Sequence, residues 1–225
     1  VGTQTVNAVP VTAAPSVSKV YDGTAAIASQ AIPLGGALSG DAIAATGAGA
    51  FASKNAGSNL AYTITGLSMS GADARNYYLT SPSSVVANNG TITPAPLAVS
   101  ITAADKVYDG NTSAALTVRD NRFMGDVLSV SATGNFANKN VGSAKPVNVT
   151  AVALSGADAA NYTVSPSSPD STTASITRLP QVTWVGGATG SWFDPANWAR
   201  GAVPDLANVA SVIIPAGVTV SFNNV

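Results

Sequence analysis

Hydrophobic and polar residues alternate over short stretches along most of the chain, which is the pattern of β-strands that bury one face and expose the other. In residues 96–102, for example, Leu97, Val99 and Ile101 alternate with small or polar residues. Residues 61–65, 128–132 and 146–152 alternate in the same way, and residues 210–215 and 217–222 are further strand candidates. Small and β-branched residues predominate, and they favour strands and tight turns over helices. The pattern therefore predicts an all-β protein.

The predicted strands belong to a unit that occurs twice. The sequence Lys-Val-Tyr-Asp-Gly begins at Lys19 and returns at Lys106. Gly-Asp, Phe-Ala-x-Lys-Asn-x-Gly and Gly-Ala-Asp-Ala-x-Asn-Tyr follow it in the same order in both copies, each shifted by 85 positions, as in Tyr77 and Tyr162. One duplicated unit of this length predicts tandem modules.

We predict two homologous small β-sandwich modules of immunoglobulin-like proportions, residues 15–96 and 97–180. A β-grasp-like module with one short helix is the alternative, because Gly-Ala-Asp-Ala-x-Asn-Tyr can form either a helical turn or a simple turn. Residues 1–14 are predicted to be the tail of a preceding unit or a linking strand. Residues 181–225 are predicted to be a tryptophan-containing β segment, either a cap or the start of a third module.

Composition excludes several classes of function. The chain has 10 basic and 11 acidic residues and a net charge of -1, without a basic stripe, so nucleic acid is a poor partner. No run of about 18 apolar residues exists, which argues against membrane insertion. Histidine and cysteine are both absent, which removes the commonest general base, the commonest zinc ligands and the thiol nucleophile. We therefore expect neither an enzyme nor a bound cofactor.

Asp22 and Asp109 are the candidate metal ligands, because aspartate with asparagine and backbone oxygens can bind calcium. The alternative is ordinary turn chemistry, in which aspartate bonds the backbone ahead and the following glycine adopts a positive φ. Tyr21 and Tyr108 are candidates for a sugar-stacking platform. The alternative is that each ring is buried and that its hydroxyl is hydrogen-bonded. Residues 117–124 are more charged and bulkier than the rest of the chain. They form either a contact surface or a loop that packs better than the one in the first repeat.

Trp184, Trp192 and Trp198 are the candidate ligand-binding residues, since exposed aromatic rings can stack on the sugars of a polysaccharide. The alternative is that the three rings form the small core of a short motif. The neighbours Lys54-Asn55 and Lys139-Asn140 suggest a lysine–asparagine isopeptide bond. Such a bond requires a nonlocal partner, because adjacent residues of a strand point to opposite faces.

The repeated motifs, which span residues 15 to 180, resemble the YDG-type repeat of very large bacterial surface proteins similar to filamentous haemagglutinin. The pattern Trp-x-Gly-x-x-x-Gly-x-Trp-x-x-x-x-Asn-Trp after residue 183 is similar to segments of the same adhesins and of autotransporter passengers. The resemblance implies a secreted protein at the surface of a Gram-negative cell. It further implies a stalk that supports cell adhesion or biofilm formation, with neighbouring modules, polysaccharide or a host or abiotic surface as partners. It supplies no catalytic residues.

Overall fold

The computed structural model describes residues 7–165 and 169–222 and consists mainly of strands. The first repeat contributes eight strands: β1 Val9–Ala13, β2 Ser18–Val20, β3 Ala26–Ile32, β4 Leu34–Gly35, β5 Ala44–Phe51, β6 Gly57–Ser70, β7 Tyr77–Leu79 and β8 Ser84–Thr93. Five of them form a mixed sheet in the order β2-β8-β6-β5-β3, in which β2 and β8 run parallel and the other neighbours antiparallel. The other three form a smaller sheet in the order β4-β1-β7.

The second repeat follows the same plan. Its strands are β9 Ala95–Leu97, β10 Val99–Ala103, β11 Lys106–Val107, β12 Leu116–Asp120, β13 Ser129–Phe136, β14 Gly142–Ser155, β15 Tyr162–Val164 and β16 Ser171–Thr177. The sheet order β11-β16-β14-β13 reproduces β2-β8-β6-β5 of the first repeat, while β9 pairs with β15 and β10 with β12. The duplicated sequence therefore folds with a duplicated strand order, and the prediction of tandem all-β modules is confirmed.

Short turns complete the fold. Within the described residues, single turns of 3-10 helix occur at Ala74–Asn76, Ala159–Asn161 and Pro195–Asn197, and an irregular one, with Arg200 at φ of 63°, at Ala199–Gly201. The described residues contain no α-helix, so the β-grasp-like alternative, which needs a helix against the sheet, is not supported. The same part of the chain also has no helix of the length and apolar character needed to cross a membrane.

The C-terminal residues form two short pairs of parallel strands. The strands are β17 Val182–Thr183, β18 Thr189–Ser191, β19 Val212–Ile213 and β20 Thr219–Ser221, with β17 parallel to β19 and β18 parallel to β20. The partners Val182 and Val212 are 30 positions apart, as are Thr189 and Thr219. One turn of chain therefore lies over the next, as in a β-solenoid. The last two strands, which the sequence predicts, pair with earlier strands and not with each other.

The chain divides into two compact units. The first comprises the described residues up to Leu97 together with residues 122–128 and 156–163, and the second comprises residues 98–121, 129–155 and those from Val164 onward. The first division lies one residue from the boundary predicted at 96, but two loops of the second repeat belong to the first unit. Residues 1–6 of the predicted N-terminal segment lie outside the described residues, and β1 within the rest of it is a strand of the first unit.

In the second unit, the tryptophan-containing segment shares a core with the second repeat. Tyr108, Phe136 and Val147 of the repeat belong to the same buried cluster as Trp184 and Trp198. A segment of about 45 residues rarely buries enough apolar surface to be stable by itself. The shared core accounts for its order.

Candidate functional site

Each Tyr-Asp-Gly motif forms a tight turn in which the aspartate bonds within its own motif. Asp22 Oδ1 lies 2.7 Å from the Lys19 ammonium and accepts hydrogen bonds from the backbone N–H and the hydroxyl of Thr24. Gly23 follows with φ of 79°, a conformation that glycine adopts without a steric penalty. Burial raises the pKa of the Asp22 carboxyl, but the hydrogen bonds from Lys19 and Thr24 outweigh burial and hold that pKa below its ordinary value.

The second copy repeats this turn. Asp109 Oδ1 lies 2.8 Å from the Lys106 ammonium and accepts from the backbone N–H of Asn111 at 3.1 Å. Both aspartates that the sequence offers as calcium ligands are thus engaged by a lysine, whereas calcium needs about six to eight oxygen ligands. Among the described residues, no three acidic, histidine or cysteine side chains form a group that could hold a metal ion. The residues present do not fit a calcium site.

The turn directs Tyr21 into the interior of the first unit. Its backbone N–H donates to the Thr93 carbonyl at 2.8 Å, and its side chain is 1% exposed. The hydroxyl donates to Asp126 Oδ2 at 2.7 Å. The structure therefore supports the buried, hydrogen-bonded alternative for Tyr21. Tyr108 is equally buried, in the second unit.

Asp126 lies at the centre of a cluster that we call the Asp126 cluster: Tyr21, Lys54, Asp126, Asp158 and Tyr162. The Tyr162 hydroxyl donates to Asp126 Oδ2 at 2.6 Å, and the Lys54 ammonium forms an ion pair with Oδ1. The side chain of Asp126 is 1% exposed. Burial raises its pKa, but the hydrogen bonds from Lys54, Tyr162 and Tyr21 outweigh burial, so the pKa lies below its ordinary value. The carboxylate therefore stays charged and is surrounded by donors.

Lys54 is held in its protonated form. Its hydrogen bond to Asp126 raises the pKa of the amine above its ordinary range. The ammonium also lies 3.5 Å from Asp158 Oδ1 and 5.7 Å from the centroid of the Tyr21 ring. A protonated amine is not a nucleophile, so this geometry favours an ion pair over the isopeptide bond that the sequence suggests.

A second set of hydrogen bonds lies beside the Asp126 cluster and involves the turn at residues 54–57. The Asn161 amide oxygen accepts from the backbone N–H of Ala56 at 2.8 Å. The amide nitrogen donates to Asn55 Oδ1 at 3.3 Å and to Asp158 Oδ1 at 3.2 Å. Asn161 is 2% exposed, so a buried polar side chain and a backbone donor satisfy each other.

The equivalent turn of the second unit, residues 139–142, makes the same contacts with a different stretch of chain. The Asn208 amide oxygen accepts from the backbone N–H of Val141 at 2.7 Å. The Asn208 amide nitrogen donates to Asn140 Oδ1 at 3.4 Å and to Asp205 Oδ2 at 2.6 Å. Asn208 thus makes in the second unit the three contacts that Asn161 makes in the first.

The bulky stretch at residues 117–124 is divided between the two units. Residues 117–120 lie in strand β12, whereas Phe123 belongs to the first unit. The Phe123 ring lies 5.8 Å from the Tyr21 ring in an edge-to-face arrangement and 6.3 Å from the Tyr162 ring. Phe123 therefore packs against two buried tyrosine rings although it is itself 39% exposed, and the neighbouring Met124 is fully exposed, so the stretch has features of both alternatives.

The three tryptophans are linked through Trp198. Trp198 lies edge-to-face with Trp184 at 5.0 Å and with Trp192 at 4.9 Å between ring centroids. Trp184 and Trp198 are buried, and their indole N–H groups donate to the carbonyls of Gly187 and Trp192. These two residues form a core and offer no binding platform. Trp192 is half-buried and stacks on the exposed ring of Phe222 at 4.8 Å.

Sequence reasoning did not identify Asp126, Asp158, Asn161, Asp205 or Asn208 as functional residues. For Asp158, Asn161, Asp205 and Asn208 the signal was the spacing Asp-x-x-Asn, which also joins residues 73 and 76. The spacing alone is ambiguous, because Asp194 and Asn197 share it and bond within their own loop. These groups hold one another by hydrogen bonds and ion pairs.

Residues 4–84 and residues 93–174 each match the YDG domain family. No curated protein and no solved structure matches the chain. The first match contains Tyr21 and Lys54, and the second contains Asp126, Asp158 and Tyr162, so the two matches include the whole Asp126 cluster. The matches together span more than half of the sequence, and the protein therefore belongs to the YDG domain family, with two consecutive copies of the domain.

Proposed function

We propose that this protein is a structural spacer in the stalk of a secreted bacterial surface adhesin, where it supports cell adhesion or biofilm formation. The resemblance of its repeats and of its tryptophan-containing segment to large adhesins supports this role. The lack of histidine and cysteine is consistent with it, because a spacer needs no general base or thiol nucleophile. Such a protein works outside the cell and takes neighbouring modules as its first partners.

One observation carries the proposal: the turn at residues 54–57 and the turn at residues 139–142 are each held by an Asp-x-x-Asn segment from further along the chain. In the first unit this contact is reinforced by the charged hydrogen bonds to Asp126. Hydrogen bonds to a charged group are stronger than neutral ones, and here they connect segments far apart in sequence. Such contacts resist separation of each repeat from the stretch of chain that follows it, which is the property that a stalk needs.

Mechanical unfolding of single molecules tests this role. We expect the intact chain, pulled from its two ends, to unfold in discrete steps. Asp126→Asn should lower the force of the step that belongs to the first unit and leave the step of the second unit unchanged. A chain that extends without a measurable force step, or a variant indistinguishable from the wild type, would contradict the spacer role.

A binding function is the second candidate, and it is favoured by the stack of Trp192 on Phe222. Phe222 is 61% exposed, and a depression of about 220 Å³ lined by Trp192, Pro204 and Leu206 lies in the same segment. An aromatic pair with one exposed ring, beside a shallow depression, suits a sugar ring of a polysaccharide. Binding to matrix polysaccharides that is lost in Trp192→Ala and kept in Tyr78→Ala, an exposed tyrosine elsewhere, would support this candidate.

A further inference from the structure

Three members of the Asp126 cluster, namely Asp126, Asp158 and Tyr162, belong to the second repeat. The first repeat contains an equivalent set of residues. The Tyr77 hydroxyl donates to Asp41 Oδ2 at 2.5 Å, as Tyr162 does to Asp126. The backbone N–H of Leu38 donates to the Tyr77 hydroxyl at 3.1 Å, as that of Phe123 does to Tyr162 at 2.9 Å. The two copies therefore have the same internal hydrogen bonds.

The agreement extends to the neighbouring aspartate. Asp73 Oδ2 accepts from the backbone N–H of Ala42 at 2.8 Å, and Asp158 Oδ2 accepts from that of Val127 at the same distance. A 3-10 turn follows in both repeats and ends in an asparagine, Asn76 in the first repeat. We call Asp41, Asp73, Asn76 and Tyr77 the N-terminal acceptor face.

The surroundings of the two copies differ. Asn161 is buried because the turn at residues 54–57 covers it, whereas Asn76 is exposed. Asp126 has a side chain that is 1% exposed, whereas Asp41 is exposed. A groove of about 450 Å³ lies at the N-terminal acceptor face, lined by Asp41, Asn76 and Tyr77 together with Leu38 and residues 7–9.

The groups that bind Asp126 and Asn161 in the second repeat indicate which groups can bind Asp41 and Asn76 in the first repeat. Asp126 receives a tyrosine hydroxyl from a Tyr-Asp-Gly motif and an ammonium from a Lys-Asn turn, both in the first repeat. Asn208 holds the Lys-Asn turn of the second repeat with the same three contacts, although its segment is not part of a YDG repeat. The Lys-Asn turn is therefore a recurrent partner for an Asp-x-x-Asn segment.

We infer that the N-terminal acceptor face binds the end of another YDG module, namely its Tyr-Asp-Gly motif and its Lys-Asn turn. The incoming tyrosine hydroxyl and lysine ammonium bind the Asp41 carboxylate, and the backbone N–H that follows the asparagine donates to Asn76. Leu38 lies where Phe123 contacts Tyr21, so it receives the incoming tyrosine ring. This inference rests on the proposed structural function and names the partner and the atoms of the joint.

One residue of the groove opposes the interaction. Arg75 lines the groove at the position that Ala160 occupies in the second repeat. A guanidinium there repels the incoming lysine, so the joint should be weaker than the one around Asp126. Arg75→Ala is therefore expected to strengthen it.

An extended chain tests the inference. A second copy of residues 9–94 is inserted directly after residue 94. Residue 94 of the first copy is then followed by residue 9 of the inserted copy, and residue 94 of the inserted copy is followed by residue 95. Three YDG modules therefore follow one another. In this chain the middle copy of Asp41 faces the Tyr21 and Lys54 of the copy before it. We expect Asp41→Asn in the middle copy to lower the thermal midpoint by several degrees, and Arg75→Ala in that copy to raise it.

The matched control is the same Asp41→Asn substitution in the first copy of the extended chain, where no module precedes it. That control should shift the midpoint by about one degree or less. Equal shifts from both copies would overturn the inference. An extended chain whose added module stays unfolded by circular dichroism would also overturn it, because the proposed contacts are those that join the native repeats. The pulling experiment on the unmodified chain reports on the spacer role independently of either result.

Discussion

Tyr21 and Asp126 are 105 positions apart in the sequence, yet the hydroxyl of the first donates to the carboxylate of the second at 2.7 Å. Tyr21 belongs to the Tyr-Asp-Gly motif of one repeat, and Asp126 belongs to the Gly-Asp motif of the next. Motifs that look like independent landmarks along the sequence are therefore two halves of one contact. This pairing explains why loops at 122–128 and 156–163 belong to the first unit.

We expect Asp126→Asn to lower the free energy of unfolding by about 2 kcal/mol, as is typical for losing hydrogen bonds to a buried charge. Asparagine keeps one acceptor oxygen, so its NH₂ group must face either the Lys54 ammonium or the two tyrosine hydroxyls. Urea unfolding of both proteins measures the difference. Asp41→Asn is the matched control, since Asp41 is exposed, and a loss equal to that control would contradict the central position of Asp126.

The stability of the first unit should depend on acid through Asp126. Its pKa in the folded protein lies below the ordinary value of 3.8, so the unfolded chain takes up the proton first. The contribution of Asp126 is therefore complete above about pH 5 and is lost as the pH falls through 3.8 and then through the lower folded pKa. Urea unfolding between about pH 6 and about pH 2 should show the difference between wild type and Asp126→Asn shrinking with falling pH.

Asp22 and Asp109 also have lowered pKa values, so the variant should keep a weaker acid dependence of its own. A difference between the two proteins that stays constant over the whole pH range would contradict the assignment of a lowered pKa to Asp126.

Tyr162 should ionise unusually late. Burial, followed by its hydrogen bond to Asp126, raises the pKa of Tyr162 from 10.0 to about 12. A folded pKa above the unfolded one means that this contribution to stability is complete below about pH 10 and is lost as the pH rises through about 12. Ultraviolet titration of tyrosinate, compared between wild type and Tyr162→Phe, measures this pKa directly. Ionisation of Tyr162 near 10 would contradict the contact.

The duplicated fold could be predicted from the sequence because its signals are local. Alternation in residues 96–102 is realised in β9 and β10, with Leu97, Val99 and Ile101 buried. The burial of Tyr21 and the turn at Asp22 were each one of two alternatives that the sequence offered, on the general properties of tyrosine and of Asp-Gly sequences.

The partners in the cluster could not be predicted, because they depend on which loops meet in space. Asp126 and Asp41 have the same sequence context, Gly-Asp, yet one is buried among donors and the other is exposed. Asn208 lies in a segment that does not belong to the repeat, so no alignment of the two copies relates it to Asn161. The parallel pairing of Val182 with Val212 is equally nonlocal.

Gly110→Ala should destabilise the second unit more than Gly217→Ala, which adds only backbone strain. Gly110 has φ of 79°, and a Cβ there lies 3.0 Å from the Gly201 carbonyl oxygen. Gly217 is the matched control, because its φ is 83° and a Cβ there meets no atom within 4 Å. We expect about 1 kcal/mol from left-handed strain in both variants and a further loss in Gly110→Ala. Equal midpoints in thermal unfolding would contradict the close approach.

Asn208→Ala should release the tryptophan-containing segment from the second repeat. The substitution leaves the backbone N–H of Val141 without its acceptor in a partly buried position, at a cost of roughly 2 kcal/mol. Because the contact holds Trp184 and Trp198 against the repeat, tryptophan fluorescence should shift to longer wavelength at a lower urea concentration than in the wild type. Asn88→Ala, at an exposed asparagine of the first unit, is the control. A fluorescence transition at the same urea concentration in Asn208→Ala and the wild type would show that the shared apolar core, and not the Asn208 amide, holds this segment in place.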